Sequence, residues 1–157
     1  MSSEINWSWA TDSDNEEIHG FRCTNSAAPA PRWQVVVEDF LTLTPVDADK
    51  LLVGRDSLGI AALVRWNAES LEFPLLRAYA VAWRRQGERP SVARQALSQM
   101  LVSIHADAQF AGLPAIFVEA RIDVDNDRSR WACLNAGFVQ HGLVESGVER
   151  WMYRART

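Results

Sequence analysis

The sequence predicts an α/β fold, and three observations carry that expectation. Residues 75–83 and residues 115–122 are apolar runs of strand length. Between them Val92, Ala96, Leu97, Met100, Leu101, Ile104 and Ala108 recur at helical spacing, with Arg94, Gln95, Gln99 and His105 off that face. A strand, a helix and a strand in this order predict a parallel pair joined by a right-handed crossover. The chain has 157 residues, a length that one domain accommodates, and residues 1–157 are read as a single domain.

The other elements follow in order. Residues 4–10 alternate loosely around Ile5, Trp7 and Trp9, as a short edge strand does. Residues 11–15 form a turn in which Asp12, Ser13 or Asp14 caps one or two helical turns over 16–22. Residues 24–31, with Pro29 and Pro31, read as a loop. Trp33, Val36, Val37, Phe40 and Leu41 make an apolar stripe that predicts a helix over 32–43. Strands over 50–53 and 60–66 flank a turn at 55–59 in a hairpin. The run 75–83 is expected to be a central strand covered on both faces, and the helix after it to stop at Gly112, before Pro114. A short helix over 127–135 ends near Gly137, and 138–142 and 148–155 are closing strands.

Composition narrows the function. Hydrophobic residues at 48% and charged residues at 23% suit a globular domain in water. A net charge of -4 argues against a general nucleic-acid binder, which shows a basic face, and leans towards a cationic substrate. No run approaches the length of a membrane span, and with Glu4 early and no apolar stretch after it no signal peptide is expected. Cys23 and Cys133 cannot build a disulfide framework, so both are expected reduced, in the cytoplasm. His19, His105 and His141 are too scattered for a metal site, and no metal is expected.

The turn Arg84-Arg85-Gln86-Gly87-Glu88-Arg89-Pro90-Ser91 feeds the long helix. A helix N-terminus offers unpaired N–H groups and a positive dipole end, which together bind phosphate. The turn reads either as a solvated basic loop or as the seat of an anionic ligand.

Further on, Asn126, Ser129, Cys133, Gly137 and Phe138 stand in the stretch Asn-Asp-Arg-Ser-Arg-Trp-Ala-Cys-Leu-Asn-Ala-Gly-Phe. With the order of elements from Ile5 to the end, this resembles the GNAT superfamily of N-acetyltransferases. The resemblance implies a GNAT-like mixed, mostly antiparallel central sheet with a parallel crossover pair and flanking helices. It implies acetyl-CoA as co-substrate, bound between the strands 75–83 and 115–122, and direct attack by the amine of a small molecule or protein acceptor. A homodimer is compatible with it, and neither a membrane nor a nucleic acid is expected as partner. The cofactor set it points to is Val81, Trp83, Arg84, Arg85, Gly87, Arg89, Ser91, Val92, Ala93, Asn126 and Ser129.

Two departures matter. The family's Arg/Gln-x-x-Gly-x-Gly/Ala loop fits in two registers: Gln86, Arg89, Ser91, or Glu88, Ser91, Ala93, of which the second aligns the helix better. Cys133 stands where the family often has the Tyr that protonates the leaving thiolate, so it either donates that proton or packs. For the base, Glu119 and Glu72 are the nearest acidic residues, Glu119 being either a base or a strand carboxylate paired with an arginine. Tyr79 either orders a water or serves as the acid. Beside catalysis stand two other readings: an acyl-CoA-binding regulator or sensor, and a non-catalytic interaction domain on the same scaffold.

Overall fold

The computed structural model describes residues 4–89 and 91–157; Pro90 of the basic turn lies outside the described residues. The strands are β1 (Asn6–Trp9), β2 (Lys50–Asp56), β3 (Gly59–Asn67), β4 (Leu75–Val81), β5 (Ala115–Asp123), β6 (Val139–Glu145) and β7 (Val148–Arg156). The helices are α1 (Asn15–His19), α2 (Arg32–Leu43), α3 (Val92–Phe110) and α4 (Asp127–Asn135). The strands form one mixed sheet in the order β1-β2-β3-β4-β5-β7-β6. β4 and β5 run parallel, with Leu75 beside Glu119 and Leu76 beside Ala120, and β1–β2, β5–β7 and β6–β7 run antiparallel.

The chain divides into two compact units. The first holds residues 1–65 and 78–96. Its core joins Ile18 of α1, Leu41 of α2, Val53 of β2 and Leu63 of β3 to Ala78, Ala80 and Ala82. Arg65 is fully buried there, and its guanidinium donates to the carbonyls of Thr44 and Pro45 just past the end of α2. A cation at a helix C-terminus meets both the last carbonyls and the negative end of the dipole. The second unit holds residues 66–77 and 97–157. Leu97, Met100 and Ile104 of α3 are buried, as are Ile116, Val118, Ala120 and Ile122 of β5 and Phe138.

Both helices with a strong sequence signal form as expected, α2 over residues 32–43 and α3 with its seven apolar positions buried. Three local expectations are corrected. In α2, Val36 is 55% exposed and Glu38 takes the buried side, because backbone N–H groups of a neighbouring segment need its carboxylate. In the hairpin, β2 and β3 reach inward to a turn at Ser57 and Leu58, closed by Gly59 at φ 122° and by Leu58 N–H donating to Asp56. The central strand is shorter than the apolar run: β4 ends at Val81 and a 3-10 turn begins at Trp83, whose side chain is 47% exposed. Burial along β4 alternates, so Leu76, Ala78 and Ala80 are covered and Arg77 is not; the run is apolar without being covered on both faces. The N-cap position of the first short turn is held by Thr11, whose N–H donates to Asp14 Oδ2 at 2.7 Å, and Asp14 itself holds the N-cap position of α1.

At Gly54 on β2 a Cβ would sit 2.9 Å from both the Ile5 methyl and the Trp7 ring. The edge strand β1 therefore lies on β2 only because residue 54 has no side chain. Gly54→Ala is expected to lower unfolding stability by about 1–3 kcal/mol, read from denaturant midpoints, with a raised exchange rate for the amides of β1. Unchanged amide protection in β1 would show that the strand accommodates the methyl.

Candidate active site

In the first unit the loop that follows β4 is built by side chains reaching it from far along the chain. Ala82 N–H donates to Ala61 O at 2.8 Å and Trp83 N–H to Arg22 O at 3.1 Å, which fix the exit of the strand. The Gln86 carboxamide then turns back, its Nε2 donating to Val81 O at 2.9 Å and to Cys23 O at 2.7 Å. Gln34 of α2 donates to the same Cys23 carbonyl, and Glu38 Oε2 accepts from Cys23 N–H, Thr24 N–H and the Thr24 hydroxyl. Those donors hold the Glu38 carboxyl below the usual carboxylate range although burial opposes it.

The arginines of the turn are engaged within the protein. Arg84 grips Asp56 through both terminal nitrogens, at 2.6 and 2.8 Å, and Arg85 Nη1 meets the same carboxylate at 2.5 Å while its Nε pairs with Glu88 at 2.5 Å. The Asp56 side chain has no solvent exposure and Arg85 is buried. These two guanidiniums fasten the loop to the β2–β3 hairpin. The bonds from Arg84, and then those from Leu58 N–H and Arg85, outweigh burial and hold the Asp56 carboxyl well below the usual carboxylate range. Arg89 is exposed and makes no ion pair with a described residue.

Gly87 takes φ 78°, and nothing lies within 4 Å of where its Cβ would be. Ser91 is the N-terminal cap of α3, its hydroxyl accepting from Arg94 N–H at 3.3 Å. Val92 is buried and Ala93 half-buried in the first helical turn. The N–H groups of these first residues have no acceptor within the helix. A glycine in the left-handed region, small residues and open N–H groups fit a phosphate. Tyr79 lies half-buried on β4, on the face opposite Ala78 and Ala80.

In the second unit Asn126 is buried at the start of α4, and its Oδ1 accepts from Ser129 N–H at 3.2 Å. The side chain thus caps the helix that carries Cys133. Past that helix Gly137 has φ 99° and Phe138 N–H donates to Cys133 O at 2.9 Å. Cys133 is fully buried, and burial pushes its thiol up to about 12. That is the setting of a packing cysteine, and it makes the thiol a weaker acid than an ordinary one. Cys23, beside Glu38 and also buried, is likewise pushed up to about 12. Glu119 lies on the face of β5 opposite Val118 and Ala120, ion-paired with Arg121 at 3.0 Å and Arg150 at 2.7 Å. Glu149, a buried residue with no local sequence signal, joins Arg130 of α4 at 2.7 Å to Gln140 of β6 at 2.5 Å. Among the described residues no His, Cys, Asp and Glu gather for a metal, and no helix is long and apolar enough to cross a membrane.

Comparison with known proteins places this geometry in a fold class. No protein-family model and no curated protein matches the chain. Solved structures do share its fold. A spermidine N-acetyltransferase chimera of Vibrio cholerae and hSSAT superposes with a TM-score of 0.65 at 17% identity, over 96% of this chain and 95% of that one. The ribosomal-protein-S18-alanine N-acetyltransferase of Escherichia coli gives 0.63 at 14% identity, over 98% and 94%. A GNAT-family acetyltransferase of Bacillus cereus gives 0.63 at 11% identity, over 98% of both chains. The chain therefore has the GNAT acetyltransferase fold, with the parallel β4–β5 pair in a mostly antiparallel sheet.

Two expectations follow from the clamps. Asp56 stabilises the folded chain fully above its unfolded pKa of about 3.9. That contribution is lost as pH falls from there towards its depressed folded value. Asp56→Asn is expected to be less stable than the wild type at pH 7, with the difference shrinking as pH drops below about 4, measured by thermal melts across pH. A constant difference would remove the carboxylate charge from the explanation. Asn126→Ala is expected to cost about 0.5–2 kcal/mol without any ligand, whereas an unchanged melting temperature would mean that the cap carries no load.

Proposed function

We propose that the chain is an acetyl-CoA-dependent N-acetyltransferase that transfers the acetyl group to a primary amine by direct attack in a ternary complex. The observation that carries the reading is the prepared end of α3: a GNAT fold in which Gly87, the Ser91 cap and the open first turn suit a pyrophosphate. Backbone N–H groups of Ser91, Val92 and Ala93 would face the pyrophosphate, with Arg89 as the guanidinium of the loop left outside the Asp56 clamp. Arg84 and Arg85 would serve by shaping that loop. Val81 and Trp83 would flank the pantetheine arm; in the second unit Asn126 would hold the start of α4 through Ser129. Two buried free cysteines are in keeping with a cytoplasmic protein.

In the reaction the amine nitrogen bonds to the thioester carbonyl carbon, the carbon–sulfur bond breaks, and the coenzyme A thiolate takes up a proton. The amine gives up its own proton to Glu119 or to a water that leads to it. Tyr79 or water is the better proton donor to the thiolate, because the Cys133 thiol is buried and pushed up to about 12. The same buried cysteine at the family's Tyr position favours a second reading, an acyl-CoA-binding regulator or sensor without efficient catalysis.

Calorimetry with acetyl-CoA, followed by thiol release against a panel of amines, separates the readings. Binding is expected in the micromolar range or tighter, with Ser91→Glu weakening it by about tenfold or more through repulsion and bulk. Cys133→Ala is expected to keep turnover within a few-fold of the wild type. Binding that Ser91→Glu leaves unchanged would move the anion away from α3. Binding with no thiol release from any amine would select the sensor, and loss of turnover in Cys133→Ala without loss of affinity would restore the cysteine as the acid.

A further inference from the structure

The odd-numbered residues of β5 and their partners on β7 make a face opposite the buried one. The register sets Arg121 beside Arg150, Glu119 beside Met152 and Phe117 beside Arg154. Side chains alternate along a strand, so these six share one face while Ile116, Val118, Ala120 and Ile122 are buried on the other. Phe73 stacks on Phe117 with ring centres 5.4 Å apart, and the Arg154 guanidinium lies over that same ring at 5.6 Å.

The charge on this face is unbalanced. Arg121 and Arg150 stand side by side, and Glu119 bridges them by one oxygen each, to Arg121 Nε at 3.0 Å and Arg150 Nε at 2.7 Å. One carboxylate against two guanidiniums leaves +1, and Arg154 adds a further positive charge. Both side chains of the pair are open to solvent, 49% for Arg121 and 42% for Arg150. Their terminal nitrogens meet no acceptor among the described residues, since the contacts to Glu119 use only the Nε edge. A guanidinium carries five N–H donors in a planar fork that matches a carboxylate, so each retains donors directed away from Glu119.

We propose that this face recognises the carboxylate of the acceptor, so that the substrate class is a small amine that also bears a carboxylate beside an apolar body. A second carboxylate brings the cluster closer to neutrality and takes the donors that Glu119 leaves over. Phe73, Phe117 and Met152 supply the apolar ground next to it. An acceptor bearing positive charge alone meets net repulsion here. The assignment of this ligand as the acceptor rests on the acetyl-transfer reading, in which Glu119 of the same cluster is the base.

The test compares L-phenylalanine with phenethylamine, which has the same ring and amine and no carboxylate. Binding is followed on the arginine Nε–Hε signals in nuclear magnetic resonance, and transfer by thiol release from acetyl-CoA. Phenylalanine is expected to shift the Arg121 and Arg150 signals saturably and to show about 10- to 100-fold higher kcat/KM than phenethylamine. Arg121→Gln and Arg150→Gln are expected to bring that ratio near unity by raising KM for phenylalanine more than for phenethylamine, with acetyl-CoA affinity little changed. Arg121→Lys, which keeps the charge and loses the fork, is expected to fall between. Equal handling of the two amines, or equal displacement of the signals by acetate alone, overturns the proposal and leaves the transfer reading standing. Saturable, carboxylate-dependent binding with neither amine acetylated keeps the recognition site and removes the transfer reading instead.

Discussion

The buried carboxylate of Asp56 is the constraint on which the rest of the candidate site depends. It accepts from Arg84, Arg85 and Leu58, and so binds the tip of the β2–β3 hairpin to the loop that starts α3. With Glu88 added on Arg85, two carboxylates face two guanidiniums and the group is neutral. A charge buried in this way is tolerated only when its lone pairs are met, which fixes one conformation of the loop more than it adds stability over an apolar contact. A loop that must present backbone N–H groups to a ligand gains from such fixing, because little ordering is left to be done on binding.

The loop is tied from its other side by amide hydrogen bonds without charge. Cys23 O takes donors from both Gln34 and Gln86, and the neighbouring N–H groups go to Glu38. The strand exit, the segment around Cys23 and the helix α2 therefore share one hydrogen-bond network. A change in α2 reaches the loop through two side chains, so residues far from any ligand belong to the site's support.

The sequence made much of this fold legible because local periodicity encodes it. The limits of α2 and α4 and the buried face of α3 follow from spacing alone, and the Asn126-to-Phe138 stretch pointed to the fold that the solved structures share. The site was less legible, since its decisive contacts join residues 28 or 63 positions apart. Asp56 reads as a turn residue, which it also is, and nothing nearby in the sequence shows that Arg84 and Arg85 will use it. Glu38 lies off the apolar stripe of Trp33, Val36, Val37, Phe40 and Leu41, so its spacing gives no sign that it becomes a buried acceptor. The end of β4 departs from the apolar run for a related reason: Ala82 and Trp83 continue the run, but tertiary hydrogen bonds stop the strand.

Charge illustrates the same limit most sharply. A net charge of -4 suggested a cationic acceptor, yet electrostatic interactions between exposed groups fade beyond a screening length of about 8–10 Å. A bound acceptor responds to the few groups within that distance and not to the sum over the chain. Around Glu119 those groups are Arg121 and Arg150, and the local sign is reversed. The alternation of β5 separates this charge from the apolar face one residue away, so a single strand serves the core with its even positions and carries Glu119 and Arg121 at its odd ones. Net charge governs what the whole protein repels at long range, and the acceptor is selected by the face it meets at contact.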